Sequence, residues 1–343
     1  MRNGKKLESA ASMGNPPCAS RCHKPSLASG NIWVFALLES MKRNCEPPQL
    51  VTYPVGTPET KYWTSTRSGR AMKVPVSVIE WYIEKYLNGG RKEKYRRYDE
   101  LLDWILNTLD KNNIQATFFC VGQLAVEFPE VVKRISDNGQ EVGCHSNRHL
   151  WINKMSKPEF AEDTRIAVQE IENLIGKKVR SFRAPAFSIG KDNDWAFEVL
   201  VENGIEYDCS VFPASRDFGG FPQFTSSVPS LVRKGDYTLK ELPICPARLM
   251  GKVVPFSGGG YFRLVPLWLQ RQLLNRMDYV MFYFHINDLI EQNSKFMTKQ
   301  EFEKYFKEPG TLKNRVTRYM KTNIGKGGAL NKLDVLLENY LFC

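Results

Sequence analysis

The chain has 343 residues, 42% hydrophobic and 25% charged, enough for one large α/β domain with a full core or two smaller ones. Its formal net charge is +11, but residues 1–74 hold 11 Lys and Arg against 4 Asp and Glu, which leaves only +4 for the rest and excludes a basic nucleic-acid groove in the body. No run approaches the roughly 18 apolar residues of a bilayer span, and the short apolar stretch Ile32 to Leu38, followed at once by Glu39 and Lys42, does not make an export signal.

Residues 1–71 are rich in Ser, Pro, Gly, Asn and Lys without a sustained period and read as a disordered N-terminal segment. Val74 to Ile79 is a β-branched run, a first strand, followed by a connection through the basic Gly90 to Arg97. Tyr98 to Asn112 has helical spacing at Leu101, Leu102, Ile105, Leu106 and Leu109. Gln115 to Val121 is a buried strand, Phe128 to Asn138 a helix with Pro129 in its first turn, and Glu141 to Cys144 a strand. Ser156-x-x-Glu159 is a capping box opening a long helix that Gly176 ends. Val179 to Arg183 and Tyr207 to Val211 are strands flanking a helix over Asp194 to Asn203. Alternation of this kind implies parallel strands with helices outside, a complete or distorted barrel, and ligands at the C-terminal strand ends.

From Gly219 to Gly260 the chain reads as loop-rich, with one strand at Thr238 to Pro243 and a glycine run, Ser257-Gly-Gly-Gly-Tyr-Phe-Arg263. No Gly-Lys-Ser/Thr follows that run, so it is not a nucleotide loop. A helix over Leu267 to Met277 precedes Tyr279 to Phe284, a buried strand delivering His285, and a mostly helical tail. These boundaries give a barrel over 72–292 and a helical extension over 293–343. Eight scattered cysteines show no metal-binding pair of pairs. Cys120, Cys144 and Cys209 sit in apolar strands, so the expected setting is reducing and cytoplasmic.

Three of the four histidines thus lie at or just beyond strand ends. His145-Ser-x-x-His149 places two imidazoles four apart, able to face one point if the segment turns helically, with nitrogen donors suited to a divalent metal. Two surface histidines by coincidence would give the same spacing. Arg183, ending another strand, is either a structural ion-pair partner or the group that holds a catalytic carboxylate. Together with His285 they point to metal-assisted hydrolysis.

In order along the chain, Ala116-Thr-Phe-Phe, Pro129-Glu, Asn138-Gly-x-Glu-Val-Gly, His145-Ser-x-x-His149, Arg183-Ala-Pro-x-Phe-Ser, Tyr207-Asp-x-Ser-Val-Phe-Pro213, Gly258-Gly-Gly-Tyr-Phe-Arg263 and Phe284-His285 resemble the polysaccharide deacetylase family. This is the NodB-homology group, carbohydrate esterase family 4, in its branch associated with exopolysaccharide loci. The resemblance covers about residues 74 to 290. It implies an irregular (β/α) barrel and removal of an acetyl group from an N-acetylated sugar or polysaccharide. It implies a divalent metal, zinc first, on His145 and His149, and His285 as the acid for the departing amine. Arg183 would orient the base and Asp194 would tune His285. The backbone N–H near Ala186 would help hold the oxyanion, with Phe187, Gly259 and Tyr261 at the substrate, although core packing explains the aromatics equally well.

One stretch departs from the family. Its first strand ends in paired acids, one the general base and one the third metal ligand, whereas this chain has Ser77 and Ile79 there and keeps only Glu80. Three accounts follow: a site rebuilt around Glu80, a degenerate carbohydrate-binding or regulatory homologue, or a foreign N-terminal stretch with Met72 as the true start. The resemblance leaves the particular sugar, the metal and the oligomeric state open.

Overall fold

The computed structural model describes four strands within residues 33–80 by their backbone, and residues 91–340 apart from 216–218, 235, 250, 290–294 and 307–308. The early strands are β1 (Trp33–Ala36), β2 (Gln49–Val51), β3 (Glu59–Thr64) and β4 (Ser77–Glu80). Then come α1 (Arg91–Lys111), β5 (Thr117–Cys120), α2 (Gly122–Glu127), α3 (Pro129–Asp137), β6 (Glu141–Cys144), α4 (Lys157–Ile175), β7 (Ser181–Phe182), α5 (Ala196–Glu202) and β8 (Tyr207–Asp208). The second half holds β9 (Ser230–Lys234), β10 (Tyr237–Glu241), β11 (Ala247–Leu249), β12 (Lys252–Val254), α6 (Gly259–Leu264), α7 (Leu267–Leu274), α8 (Ile286–Leu289), α9 (Lys299–Phe306), α10 (Leu312–Asn323) and α11 (Ala329–Asn339).

The main sheet runs β2-β3-β9-β10-β8-β7-β6-β5-β1-β4. Its centre, from β5 through β6, β7 and β8 to β10, is parallel, the α/β arrangement expected from the alternation of strands and helices. The two flanks are antiparallel, and among the described residues no ladder joins β2 to β4, so the sheet is an open series. Adjacent residues of the central strands are buried on opposite faces. Phe118 packs with Cys144, Phe160 and Phe182 beneath the helices, and Phe119 with Cys209, Phe212 and Met281 on the other side. Burial on both faces explains why these strands read as unbroken apolar runs.

Local signals set several boundaries. The Ser156 hydroxyl accepts from Glu159 N while Glu159 answers at the Ser156 N–H, and Gly176, at φ 66°, ends α4. In the tail, Leu333, Leu336 and Leu337 join the same core as Leu289, so the C-terminal helices pack on the sheet-and-helix body.

Several expectations need correction. The N-terminal segment expected to be disordered contributes β1, β2 and β3; its other residues lie outside those described. The basic stretch before Tyr98 begins α1, and the stretch 219–260 holds β9, β11 and β12 besides the expected strand. The glycine run opens a helix, α6, with Gly258 at its N-cap and Gly259 at a left-handed φ of 52°. Tyr279 to His285 is an extended segment, tied in parallel by a bridge from Tyr283 to Gly258.

Candidate metal and catalytic site

His145 follows β6 directly and sits between its parallel neighbours, its N–H donating to Cys120 O at 2.8 Å. Its Nδ1 lies 2.6 Å from Arg183 O. A carbonyl can only accept, so Nδ1 carries the proton and Nε2 keeps a lone pair. Burial, then the neighbouring His149, push its pKa well below the ordinary imidazole value. The ring is therefore a neutral nitrogen donor, the form a metal requires.

His149 arrives differently from the expectation. Residues 145–149 form no helical turn. Ser146 and His149 take left-handed φ of 60° and 57°, a conformation that L side chains adopt only under constraint. The constraint is visible. Asp163, buried on α4, accepts from Asn147 N at 2.7 Å and from Arg148 Nε at 2.9 Å, and Ser146 Oγ accepts from His149 N. On the other side, Gly122 N and Gln123 N donate to Ser146 O and Asn147 O. A Cβ at Gly122 would stand 2.6 Å from Asn147 Oδ1 and 2.7 Å from Ala167 Cα, so only glycine permits this approach. The result places the His145 and His149 rings 4.9 Å apart at 64°. Desolvation, followed by His285, lowers the His149 pKa to about 3. His285 acts electrostatically on both, so the three histidines lie within electrostatic reach of one another.

Arg183 is fully buried beyond β7, its guanidinium 5.0 Å from both the Phe187 and Tyr283 rings and its Nη2 3.7 Å from Met281 Sδ. Burial lowers its pKa, and among the described residues its Nη1 has no hydrogen-bond partner. A buried cation with an unmet donor is where a carboxylate would be held. Next to it, Ala186 and Phe187 take left-handed φ of 56° and 54° in the turn Pro185–Phe187. Gly219 and Gly220 clamp that turn: Gly220 N donates to Phe187 O at 2.8 Å, and a Cβ on Gly219 would lie 2.5 Å from Ala186 O. Phe187 also meets Tyr283 edge-on at 5.4 Å.

The glycine run packs against the aromatic ring beside Arg183. A Cβ at Gly258 would fall 1.9 Å from Tyr283 Cε1, so Gly258 makes room for the ring that lies beside Arg183. Gly259 N donates to Tyr283 O at 3.0 Å, and Tyr261, on α6, is exposed.

The carboxylate at His285 is Asp288, three residues on. Its Oδ2 lies 2.8 Å from Nδ1 and accepts from the His285 N–H at 3.1 Å, while its Oδ1 lies 3.2 Å from Arg263 Nε. Asp194, to which the resemblance gave the tuning of His285, stands between the 3-10 turn Lys191–Asn193 and α5. The signal was available as His285-x-x-Asp288 at a strand-to-helix junction.

Glu80 ends β4. Two antiparallel pairings, β4 with β1 and β1 with β5, make β4 run in the direction of β5, so Glu80 lies at the C-terminal end, and β4 packs against α8. Its side chain lies outside the described residues. Among the described residues no group of three or more His, Cys, Asp and Glu side chains forms a metal cluster. His145 and His149 fit a divalent metal as two neutral nitrogen donors, and further ligands would have to be oxygen.

Residues 96–207 match a family model described as polysaccharide deacetylase, and residues 209–326 one described as a domain of unknown function, DUF3473. A peptidoglycan-N-acetylglucosamine deacetylase of Bacillus cereus is 33% identical over 102 residues, 30% of this chain and 37% of that protein. The peptidoglycan-N-acetylmuramic acid deacetylase PdaA of Bacillus subtilis is 28% identical over 116 residues, 32% and 44% of the two chains. The chain thus spans less than half the length of these curated relatives. Among solved structures, a Mycobacterium smegmatis protein assigned to the polysaccharide deacetylases aligns with TM-score 0.45 and 17% identity over 71% of this chain and 73% of that one. A CE4 family pseudoenzyme from Bacillus anthracis aligns with TM-score 0.35 and 17% identity over 66% and 58%.

Proposed function

Because this chain belongs to the polysaccharide deacetylase family, we propose that it is a hydrolase removing the acetyl group from an N-acetylated sugar or polysaccharide. The observation that carries this reading is the pairing of two neutral imidazoles, His145 and His149, within electrostatic reach of the carboxylate-held His285. The relatives' names concern peptidoglycan amino sugars, which supports an N-acetylated amino sugar as the substrate class.

In this reading His145 and His149 hold a divalent metal, zinc first on its nitrogen preference. Such a metal supplies Lewis-acid polarisation of an amide carbonyl and a more acidic water. The chain's own groups do the rest. Glu80 takes the proton from the attacking water, with Arg183 as its buried counter-charge. The Ala186 N–H donates to the oxygen on which charge develops. His285 Nε2 delivers a proton to the departing amine, its ring oriented by Asp288 at Nδ1. Phe187, Gly259 and Tyr261 line the sugar's side. A cytoplasmic setting belongs to the same proposal, supported by the buried free thiols of Cys120, Cys144, Cys209 and Cys245.

A second reading is favoured by one specific observation: Ser77 and Ile79 replace the paired acids of the first strand, leaving Glu80 for two roles. Under it the chain is a degenerate homologue that binds carbohydrate. Metal content by elemental analysis, with deacetylation of an N-acetylglucosamine oligomer, separates the two. The hydrolase reading expects about one metal per chain, lost in His145→Ala, and turnover lost in Glu80→Gln with the metal retained. A metal-free, inactive wild type after zinc addition would leave only the second reading.

A further inference from the structure

Arg263 is buried in the last turn of α6, and its guanidinium reaches in two directions. Its Nε forms an ion pair with Asp288 Oδ1 at 3.2 Å, and its Nη1 donates to Thr322 O at 2.7 Å. The other oxygen of Asp288 is the one that meets His285, at Nδ1 and at the backbone N–H. Each carboxylate oxygen therefore has its own anchor, and the plane of the carboxylate is fixed from both sides. Asp288 is itself buried. Without the guanidinium its Oδ1 would lack a counter-charge, and the group could turn toward water, drawing Oδ2 off the ring.

The arginine is held in turn by the C-terminal extension. Thr322 lies in the last turn of α10, where carbonyls lack intrahelical donors and carry partial negative charge, a place suited to a cation. Gly325 follows at φ 74°, and a Cβ there would lie 2.7 Å from Arg263 O, so the extension passes close against the arginine's own backbone. From α11, Lys332 Nζ donates to Phe262 O, Arg263 O and Val265 O at 2.9, 3.2 and 2.8 Å. The capping is reciprocal: a cation of α6 closes α10, and a cation of α11 closes α6. His285, Asp288, Arg263 and Thr322 all fall within residues 209–326, the segment matched by the second family model.

We propose that Arg263 is a positioning residue for the His285 acid, and that the C-terminal extension serves the site by holding Arg263 against Asp288. The acid's role rests on the hydrolase reading above, whereas the holding of the Asp288–His285 pair can be measured on the chain without turnover.

The test compares Arg263→Lys with the wild-type full chain. Lysine keeps the charge but has no planar fork to meet Asp288 and Thr322 O together. In chains carrying nitrogen-labelled histidine, NMR follows the His285 Nδ1–H, assigned by its absence in His285→Gln. Its exchange with solvent should be at least about tenfold faster in Arg263→Lys. On an N-acetylglucosamine oligomer, kcat should fall by about tenfold or more, with KM and metal content little changed. Hydrolysis of para-nitrophenyl acetate should stay within about twofold of wild type, because nitrophenolate departs without needing a proton. Equal losses on the two substrates overturn the proposal, as does an Nδ1–H that exchanges as in wild type; Arg263 would then be a contact of the fold alone. Lys332→Met leaves Arg263 its side-chain partners, removes the cation from the α6 carbonyls, and serves if Arg263→Lys does not fold. It should show the same split to a smaller degree, and wild-type behaviour would overturn the part given to the extension. A wild type that turns over neither substrate ends the hydrolase reading, and the exchange rate still decides whether Arg263 holds the pair.

Discussion

Asp288 Oδ2 stands 2.8 Å from His285 Nδ1, and the same carboxylate's other oxygen stands 3.2 Å from Arg263 Nε. Asp288 thereby orients the ring with Nδ1–H toward its carboxylate, and Nε2 has a proton to deliver only when the ring is doubly protonated. Asp288→Asn keeps the size of the side chain but lets its amide present a donor to Nδ1. Steady-state kinetics should show kcat reduced on the order of 100-fold, with KM and metal content little changed. Asp194→Asn should leave kcat within about threefold of wild type. The reverse pattern would return the tuning role to Asp194.

The turn beside Arg183 holds Ala186 at φ 56° and ψ 21°, a conformation costing an L-residue about 1–2 kcal/mol. Ala186→Gly removes that cost while adding freedom to the unfolded chain, so urea denaturation should find it within about 1 kcal/mol of wild type. Ala186→Val, β-branched at positive φ, should lose more than about 1 kcal/mol. Equal stability in the two variants would mean that the turn relaxes, and that the Ala186 N–H is not fixed for an oxyanion.

How much of this was legible in the sequence depends on the range of the signal. The α4 boundaries were readable because Ser156, Glu159 and Gly176 act within one turn of the helix ends, and the parallel centre because short, largely apolar strands alternate with helices. The strand-end places of His145 and His285 were readable from the apolar runs that precede them. The route to His149 was not: the left-handed Ser146 and His149 are imposed by Asp163, fourteen positions beyond His149, and nothing local marks that pairing. Asp288 was missed because the family resemblance pointed to Asp194, although an i, i+3 carboxylate beyond a strand-end histidine is a local signal. The role of Gly258 was not legible, since a sequence cannot show that the Tyr283 ring fills the space beside it.

That space gives a sharp steric test. Gly258 has an ordinary extended backbone, φ −147° and ψ 156°, so alanine there is not strained by its dihedrals. The obstacle is the Tyr283 ring, 1.9 Å from the added Cβ and backed by Arg183 and Phe187. Gly258→Ala should lower the melting temperature and cost about 1–3 kcal/mol. Adding Tyr283→Ala should recover part of the loss, because the cavity accepts the methyl group. A fully stable Gly258→Ala variant would show that the ring moves freely.

The buried pair Asp208 and Glu241 makes the most specific prediction about pH. They are register partners on β8 and β10, both fully buried, and Asp208 Oδ2 and Glu241 Oε2 are each left without a hydrogen-bond donor. One proton between them satisfies both. Desolvation, then Asp208, hold the Glu241 carboxyl well above the ordinary glutamate value of 4.5, so Glu241 keeps the proton and donates it to Asp208. The folded chain therefore binds a proton that the unfolded chain has released. Stability from this group is fully present below about pH 4.5 and lost as pH rises through the folded value. His149, lowered to about 3 from 6.5, works in the opposite sense, adding stability as pH rises, but only up to about pH 6.5. Between roughly pH 7 and 7.5 the histidine contribution is nearly complete, and the buried thiols of Cys120, Cys144, Cys209 and Cys245, which work in the same sense as Glu241, enter only as pH nears their ordinary value of 9.0. Urea midpoints should fall across that window, by at most about 1.4 kcal/mol per pH unit for one proton. Glu241→Gln should remove the slope while preserving the geometry. Its amide N–H₂ replaces the O–H toward Asp208, and its Oε1 still accepts from Val211 N, a bond of 3.1 Å in the present chain. A Glu241→Gln protein with an unchanged slope would mean that the shared proton is not there.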